Sequence, residues 1–326
     1  MRTQILDSAA EKNIQEAAKT LQAGELVGIP TETVYGLAAN GLSASAVAKI
    51  FQAKQRPLAD PLILHIKDLV MLADLIDSEA LAKQSSPLIS IAEHYWPGPL
   101  TLLLPRRAAV PDLVTAGLPD VAIRCSAHPT MRRILERLDF PLAAPSANRF
   151  GGVSPTSAAH VRQDLGGLIP LILDSGNTKH GIESTIIRWK DGQIQILRPG
   201  PVTTEMLQQH GHQVTSALPD QKVLAPGMLR SHYAPAKPLA LDPKKINVAP
   251  EHLGLLAFGE QRQQAGYIAN LSQNGDLVEA ATRLYACLRE LDAHPDVHEI
   301  LAAPLPEQGL GVAIMDRLRR AAAPKA

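Results

Sequence analysis

The sequence predicts an α/β protein of two domains. Short apolar runs of strand composition alternate with amphipathic helical segments along most of the chain. A proline-rich stretch without a clear period, residues 216–238, interrupts this alternation. The 326 residues are enough for about two domains with sizeable cores. The expected division is 1–206 for a larger domain, 207–237 for a linker and 238–326 for a smaller α/β domain.

Residues 1–24 lack a signal-like apolar core. They read as an amphipathic helix capped by Asp7 or Ser8, with Ile14, Ala17, Ala18 and Leu21 on one face and Gly24 as its stop. Residues 26–66 read as strand, polar turn, helix, basic turn, strand. Ser43 can cap the helix, Val47, Ile50 and Phe51 recur at helical spacing, and Pro57 forces it to end. Thr31, Glu32, Thr33 and Tyr35 gather at one turn and Lys54, Arg56 and Asp60 at the other, with His65 on the second strand. Hydroxyls and cations at strand ends suit a small, polar, anionic substrate.

A helix is expected over 68–82 and another over 87–95, stopped by Trp96-Pro97-Gly98-Pro99. Leu100 to Leu104 is an expected core strand. Val121-Ala122-Ile123 delivers Arg124 to a strand end, where its fork can grip a carboxylate. Residues 141–148 read as a strand ending in a turn that presents Ser146 and Asn148; Ser154-Pro155-Thr156 then opens a helix through Val161 and Leu165. Residues 168–173 form a further strand. Asp191-Gly192 marks a hairpin whose pairing brings Ser184 and Arg198, at its two ends, close together. Thr203 caps a short helix. Beyond 238, residues 253–258 and 299–303 read as strands; a helix capped by Asp276 and a final helix over 312–320 complete a small parallel sheet with covering helices.

Thirty-two basic residues balance 32 acidic ones, which argues against a protein that coats nucleic acid. Cys125 and Cys287 are distant and without metal-ligand spacing, as expected of a reducing, cytoplasmic compartment. His294 and His298 lack a metalloprotease glutamate. Neither a Walker-type phosphate loop nor a dinucleotide fingerprint occurs, so any phosphate-binding site would be assembled from scattered residues. No metal site made by protein ligands alone is expected.

Residues 30–37, PTETVYGL, followed by Lys54-x-Arg56-Pro57, Pro61-Leu62, the 96–104 run and 141–148, resemble the YrdC-type threonylcarbamoyl-adenylate synthases. Ala225-Pro226-Gly227-Met228 and His232-Tyr233-Ala234-Pro235 resemble the linker of the long form of that family, which crosses the active-site cavity. The resemblance implies a twisted mixed sheet for the catalytic domain and a smaller Rossmann-like domain behind it. It implies synthesis of L-threonylcarbamoyl-AMP from L-threonine, bicarbonate and ATP, with pyrophosphate release. The product would pass to a tRNA threonylcarbamoyl transferase, with no strong nucleic-acid binding and no membrane association by the synthase itself.

By that resemblance Thr33, His65, Arg124, Ala144 and Ser184 hold threonine, while Lys54, Arg56, Asp60, Asp120, Ser146, Ser154, Arg198 and Tyr233 hold ATP. Lys54, Arg56, His65 and Arg124 carry the catalytic roles. Mg²⁺ would arrive on the phosphates with few protein ligands. Two positions depart from the family: Asp60 stands where asparagine is common and Asp120 where threonine is common. A double-stranded-RNA binder without ATP turnover is the alternative, which the zero net charge disfavours.

Overall fold

The computed structural model describes residues 2–84, 86–217, 223–260 and 263–324. Two sheets are formed. The strands of the first are β1 Gln4–Asp7, β2 Val27–Ile29, β3 Gly36–Asn40, β4 Ile63–His65, β5 Leu100–Pro105, β6 Asp120–Arg124, β7 Leu142–Ala143, β8 Leu171–Asp174, β9 Thr185–Lys190, β10 Gln193–Arg198 and β11 Val214–Ser216. They lie in the order β1-β8-β2-β3-β7-β4-β6-β5-β9-β10-β11. Parallel and antiparallel pairs are mixed: β4 runs parallel to β6 and antiparallel to β7. The second sheet holds β12 Leu239–Ala240, β13 Leu253–Ala257, β14 Tyr267–Asn270 and β15 Glu299–Ala302 in the order β12-β15-β13-β14, parallel throughout.

Local chemistry explains most boundaries. Ser43 Oγ accepts from the Ala46 N–H and starts the helix Ala44–Lys54, which ends with Gln55 in a left-handed conformation two residues before Pro57. Asp191 and Gly192, at φ +51° and +79°, make the tight turn between β9 and β10. Thr203 caps Thr204–Gln208, and Asp276 caps Leu277–Ala293.

Some expectations are corrected. The first helix is Glu11–Gln22, with Ala10 rather than Asp7 or Ser8 at its cap position. Asp7 is taken into β1, drawn there by parallel pairing to β8, and its carboxylate accepts from the Ala9 N–H. The single helix over 68–82 is two, Leu69–Ala73 and Ser78–Gln84, because the intervening chain pairs at Ile76 with Arg106. The helix after Ser154 is capped by Ser157 instead. The turn after Ile29 leads straight into β3, whose Gly, Leu and Ala residues carry little strand signal. β11 lies beyond residue 206 yet pairs with β10, so the chain leaves the first sheet only after Ser216; residues 218–222 of the expected linker fall outside the described set.

Each side of the large sheet has its own core. Leu37, Ile50, Leu64, Leu102 and Ile123 belong to one, and Ile14, Leu21, Val27, Met131 and Leu142 to another. The core of the second domain includes Leu256, Leu284, Leu288 and Ile314, but also Val34, Val153 and Ile182 of the first domain and Tyr233 of the linker. The domains therefore share an apolar interface, and the linker is packed into it.

A buried ion pair closes that interface. Arg317, fully buried on the helix Leu310–Ala321, donates from Nε to Glu183 Oε2 at 3.0 Å and from Nη1 to the Pro199 carbonyl at 2.6 Å. Glu183 also accepts from Tyr285 Oη at 2.8 Å and Ser154 Oγ at 2.5 Å. Removing one partner strands the other charge away from water. Arg317→Ala is expected to lower unfolding stability by about 3–5 kcal/mol, read from urea titration; a loss below about 1 kcal/mol would mean that the pair is solvated.

Candidate functional site

Strand pairing sets the core of the site. His65 ends β4 and Arg124 ends β6, and the two residues are directly paired. Thr101 of β5 lies opposite Arg124 and shares a 2.7 Å hydrogen bond with the Ser184 hydroxyl, just ahead of β9. The hairpin brings Arg198 to the same place, donating to the Ser184 carbonyl at 3.1 Å and hydroxyl at 3.0 Å. The turn after β2 contributes Thr33, whose hydroxyl accepts from Arg124 Nη1 at 2.8 Å. Thr31 ties that turn together by bonding the Val34 carbonyl at 2.6 Å and the Thr33 hydroxyl at 2.9 Å. Ala144 donates its N–H to the Ile63 carbonyl, and Ser146 pairs with Gly36.

Thr33, Arg56, His65, Arg124, Ala144, Ser146, Ser184, Arg198 and Tyr233 thus line one cavity of about 40 Å³. They come from positions spread over 200 residues of chain. Buried polar atoms lacking a protein partner lie in its lining: His65 Nδ1 and Tyr233 Oη. Buried polar atoms are nearly always paired, so such a cluster marks where a polar ligand fits.

Four expected contacts lie elsewhere. Lys54 sits behind the wall, its ammonium donating to the Ser146 and Asn148 carbonyls at 2.5 and 2.6 Å; burial, reinforced by Arg56, pushes its pKa well below the ordinary lysine value. The Ser154 hydroxyl is committed to Glu183. Asp60 lies 2.8 Å from Arg56 Nη2 and is buried, with neither carboxylate oxygen in an aligned hydrogen bond. Burial raises its pKa, against the pull of Arg56, Lys54 and Arg198. Asp120 is half-buried on the strand face that carries Arg124, but four residues away, roughly 13 Å at strand spacing. Tyr35 is scaffold: its hydroxyl donates to the Gly176 carbonyl at 2.7 Å.

The linker closes the cavity. Ala225 and Met228 pack on Ile63, Leu103, Ala122, Ile186 and Leu197, the apolar face between Asp120 and the Arg124 end. The Pro226 carbonyl accepts from Arg198 Nη1 at 3.2 Å. Gly227, at φ +81°, lies so close under Tyr233 Oη that a Cβ there would come within 2.4 Å of it. Tyr233 itself has φ +63°, a strained conformation for a bulky residue. Its ring is held by Tyr285 at 5.9 Å and by Arg317 at 5.4 Å, so the second domain fixes the linker.

Glu32, Glu183, Thr31 and His232 also line the cavity or hold its wall; sequence reasoning placed Thr31 and Glu32 in the polar turn without assigning either a contact, and gave Glu183 and His232 no site role. Glu32 stands in the PTETVYGL block and could have been found there; Glu183 adjoins Ser184, and His232 adjoins Tyr233. Glu32 Oε1 is 2.7 Å from Arg124 Nη2 and accepts from the Ala127 N–H at 3.1 Å, while Ser126 Oγ donates to Oε2. Burial alone would raise the Glu32 pKa; Arg124 and Ser126 reverse this and bring it to about 2.

Three buried guanidinium groups, Arg56, Arg124 and Arg198, beside hydroxyls in one cavity define a site suited to small anionic and polar molecules. The comparisons agree. Residues 19–200 match the Sua5–YciO–YrdC family, described as "Telomere recombination", and residues 202–323 match "Threonylcarbamoyl-AMP synthase, C-terminal domain". The threonylcarbamoyl-AMP synthase of Pyrococcus abyssi is 39% identical over 97% of this chain and 96% of its own length. That of Bacillus subtilis is 40% identical over 97% and 94%. The crystal structure of P. abyssi Sua5 complexed with L-threonine superposes with a TM-score of 0.88 at 36% identity, covering 98% of both chains. The chain belongs to the threonylcarbamoyl-AMP synthase family, in its long two-domain form.

Two predictions follow from the site electrostatics. Glu32 holds the Arg124 fork in place, so Glu32→Gln is expected to weaken threonine binding about tenfold, near 1.4 kcal/mol, and to leave ATP affinity within about twofold; tighter threonine binding in a titration would mean that Glu32 competes for Arg124 instead.

The second concerns His65 and His232. Burial brings both to about 3, helped by Arg124 for His65 and by Arg56 for His232. Their folded pKa values lie below the ordinary histidine value, so the unfolded chain takes up protons first. Their contribution is complete above about pH 6.5 and is lost as pH falls towards 3, about 2 kcal/mol per histidine by pH 5. His232→Gln is expected to flatten the acid side of the stability–pH curve; an unchanged slope would show that His232 is solvated.

Proposed function

We propose that this protein joins L-threonine, bicarbonate and ATP into L-threonylcarbamoyl-AMP and pyrophosphate. The carrying observation is one cavity in which His65 and Tyr233 each present a polar atom without a protein partner, beside Arg56, Arg124 and Arg198. Threonine's carboxylate fits the Arg124 fork. Thr33 and Ser184, each hydrogen-bonded to a neighbour, fit its polar substituents. His65, kept neutral by its low pKa, presents an unpartnered Nδ1 that can hydrogen-bond the threonine as an uncharged group. Bicarbonate and the amine give the carbamate and water. A carbamate oxygen then attacks the α-phosphorus of ATP, the bond to the bridging oxygen breaks, and pyrophosphate leaves. Arg56, Arg198 and the Ser146 hydroxyl would neutralise and orient the phosphates, so the protein's contribution is placement and charge.

The nucleotide needs more room than about 40 Å³. Withdrawal of Ala225 and Met228 from the apolar sheet face would uncover a platform for it, with Asp120 at one end and Arg124 at the other. The Pro226 carbonyl would then leave Arg198 free for phosphate. No group of three metal-ligating side chains occurs among the described residues. A magnesium ion carried by the triphosphate would need few protein ligands, and Asp60, held 2.8 Å from Arg56 Nη2, is already paired with that arginine. The ion would supply charge neutralisation on the phosphates. In the cell, the product would be used by a tRNA-modifying transferase. No described helix is long and apolar enough to cross a membrane, and no comparison favours an RNA-binding role without turnover.

Pyrophosphate release from ATP is expected to require both threonine and bicarbonate, and release indifferent to threonine would end this reading. Arg124→Ala is expected to raise the threonine requirement at least tenfold, about 1.4 kcal/mol or more, with ATP affinity little changed; equal loss of both would mean that Arg124 serves the fold.

A further inference from the structure

A second and larger cavity, of about 1010 Å³, lies between the domains. Its walls come from the loop 149–153, from the linker and from the second-domain helix Leu277–Ala293, which contributes Arg289 and Asp292. The two cavities share a wall. His232 and Tyr233 face the inner one, while their neighbours Ser231 and Ala234 face the cleft. Arg56 lines the inner cavity and Pro57 the cleft. Phe150 lines the cleft, with its ring 5.9 Å from His232 and 6.0 Å from the Arg56 guanidinium. The partition is therefore one linker turn and one aromatic ring. The turn carries the strained Tyr233, and an Ala234 N–H bond of 2.8 Å to the Gly151 carbonyl ties it to the loop.

The charges of the cleft are unequal in their commitments. Asp164 is paired with Arg289 at 2.5 Å, and Asp292 accepts from the Ala236 and Lys237 N–H groups. Arg149 and Arg230 are exposed, and no carboxylate among the described residues pairs with either. Neither guanidinium is neutralised by a carboxylate, Arg149 donating only to the Ala53 carbonyl at 3.4 Å; both match phosphate oxygens, and the flat faces of Phe150 and Pro57 match a base. The volume suits a nucleotide, which the inner cavity does not.

We propose that the interdomain cleft is an outer docking site for a nucleoside triphosphate. There ATP rests with its phosphates on Arg149 and Arg230 before the linker turn withdraws and admits it to Arg56 and Arg198. The proposal rests on the ATP-dependent reading above and adds to it a second binding position and a direction of entry.

The test is charge reversal in the full chain, Arg149→Glu with Arg230→Glu, followed by threonine-dependent pyrophosphate release. At low ionic strength kcat/KM for ATP is expected to fall about tenfold, and the gap to close as salt screens the arginines. The rate at saturating ATP and the KM for threonine are expected to stay within about twofold. An ATP kcat/KM within about twofold of the parent at every salt concentration would overturn the proposal.

Direct binding separates this failure from failure of the enzymatic reading. Gly152→Cys with Ala234→Cys, at positions paired across the partition, would lock the turn closed as a disulfide. The locked protein is expected still to bind ATP weakly, and to lose that binding on reversal of the two arginines. No ATP binding by the locked protein, or binding indifferent to the reversal, would overturn the cleft assignment whatever the enzyme's turnover.

Discussion

The contact on which the site depends is the buried bond between Glu183 and Arg317. Glu183 precedes Ser184, lines the inner cavity, and accepts from Ser154, Tyr285 and Arg317 at once. Three of these four residues have no exposed surface beyond 1% of the maximum, so the pair lies in a low-dielectric interior. There an uncompensated charge is costly, and the second domain cannot leave without creating one. The same arginine lies over the Tyr233 ring. One ion pair thus fixes the strand end that carries Ser184, the face of the second domain and the linker turn that shuts the cavity.

A constraint of this kind gives the appended domain a part in the site of the larger one. Its two long helices cover one side of a parallel sheet, and the first of them presents Tyr285 to the catalytic domain. Its contribution is positional: it clamps a linker whose Tyr233 would not otherwise hold a positive φ. The linker in turn spends its apolar residues on the sheet face and a carbonyl on Arg198. Closed, it satisfies groups that a nucleotide would satisfy when bound. Packed this way, the linker shields the apolar sheet face from water.

Much of this was legible in the sequence. Ser43, Thr203 and Asp276 are caps whose side chains announce themselves, and Asp191-Gly192 fixed the hairpin register that brings Arg198 to Ser184. The inner cavity contains Thr33, His65, Arg124, Ala144 and Ser184 together, as the family resemblance implied. What stayed hidden depends on pairing between distant segments. β3 has weak strand composition and exists because β2 and β7 flank it. Glu183 reads as an ordinary polar residue until folding buries it against Arg317, and the sequence does not show that Glu32 of the polar turn pairs with Arg124. Asp120 shares a strand with Arg124, but adjacency on a strand face does not give adjacency in a cavity.

The central claim is spatial: hydroxyls, a neutral imidazole and guanidinium groups from remote parts of the chain form one receptor for an amino acid. Crystallography of this protein with L-threonine and a non-hydrolysable ATP analogue tests it most directly. The account predicts the threonine carboxylate on Arg124, its other polar groups among Thr33, His65 and Ser184, and the linker displaced from Arg198 by phosphate. Threonine bound away from Arg124, or a nucleotide bound with Pro226 still on Arg198, would contradict it.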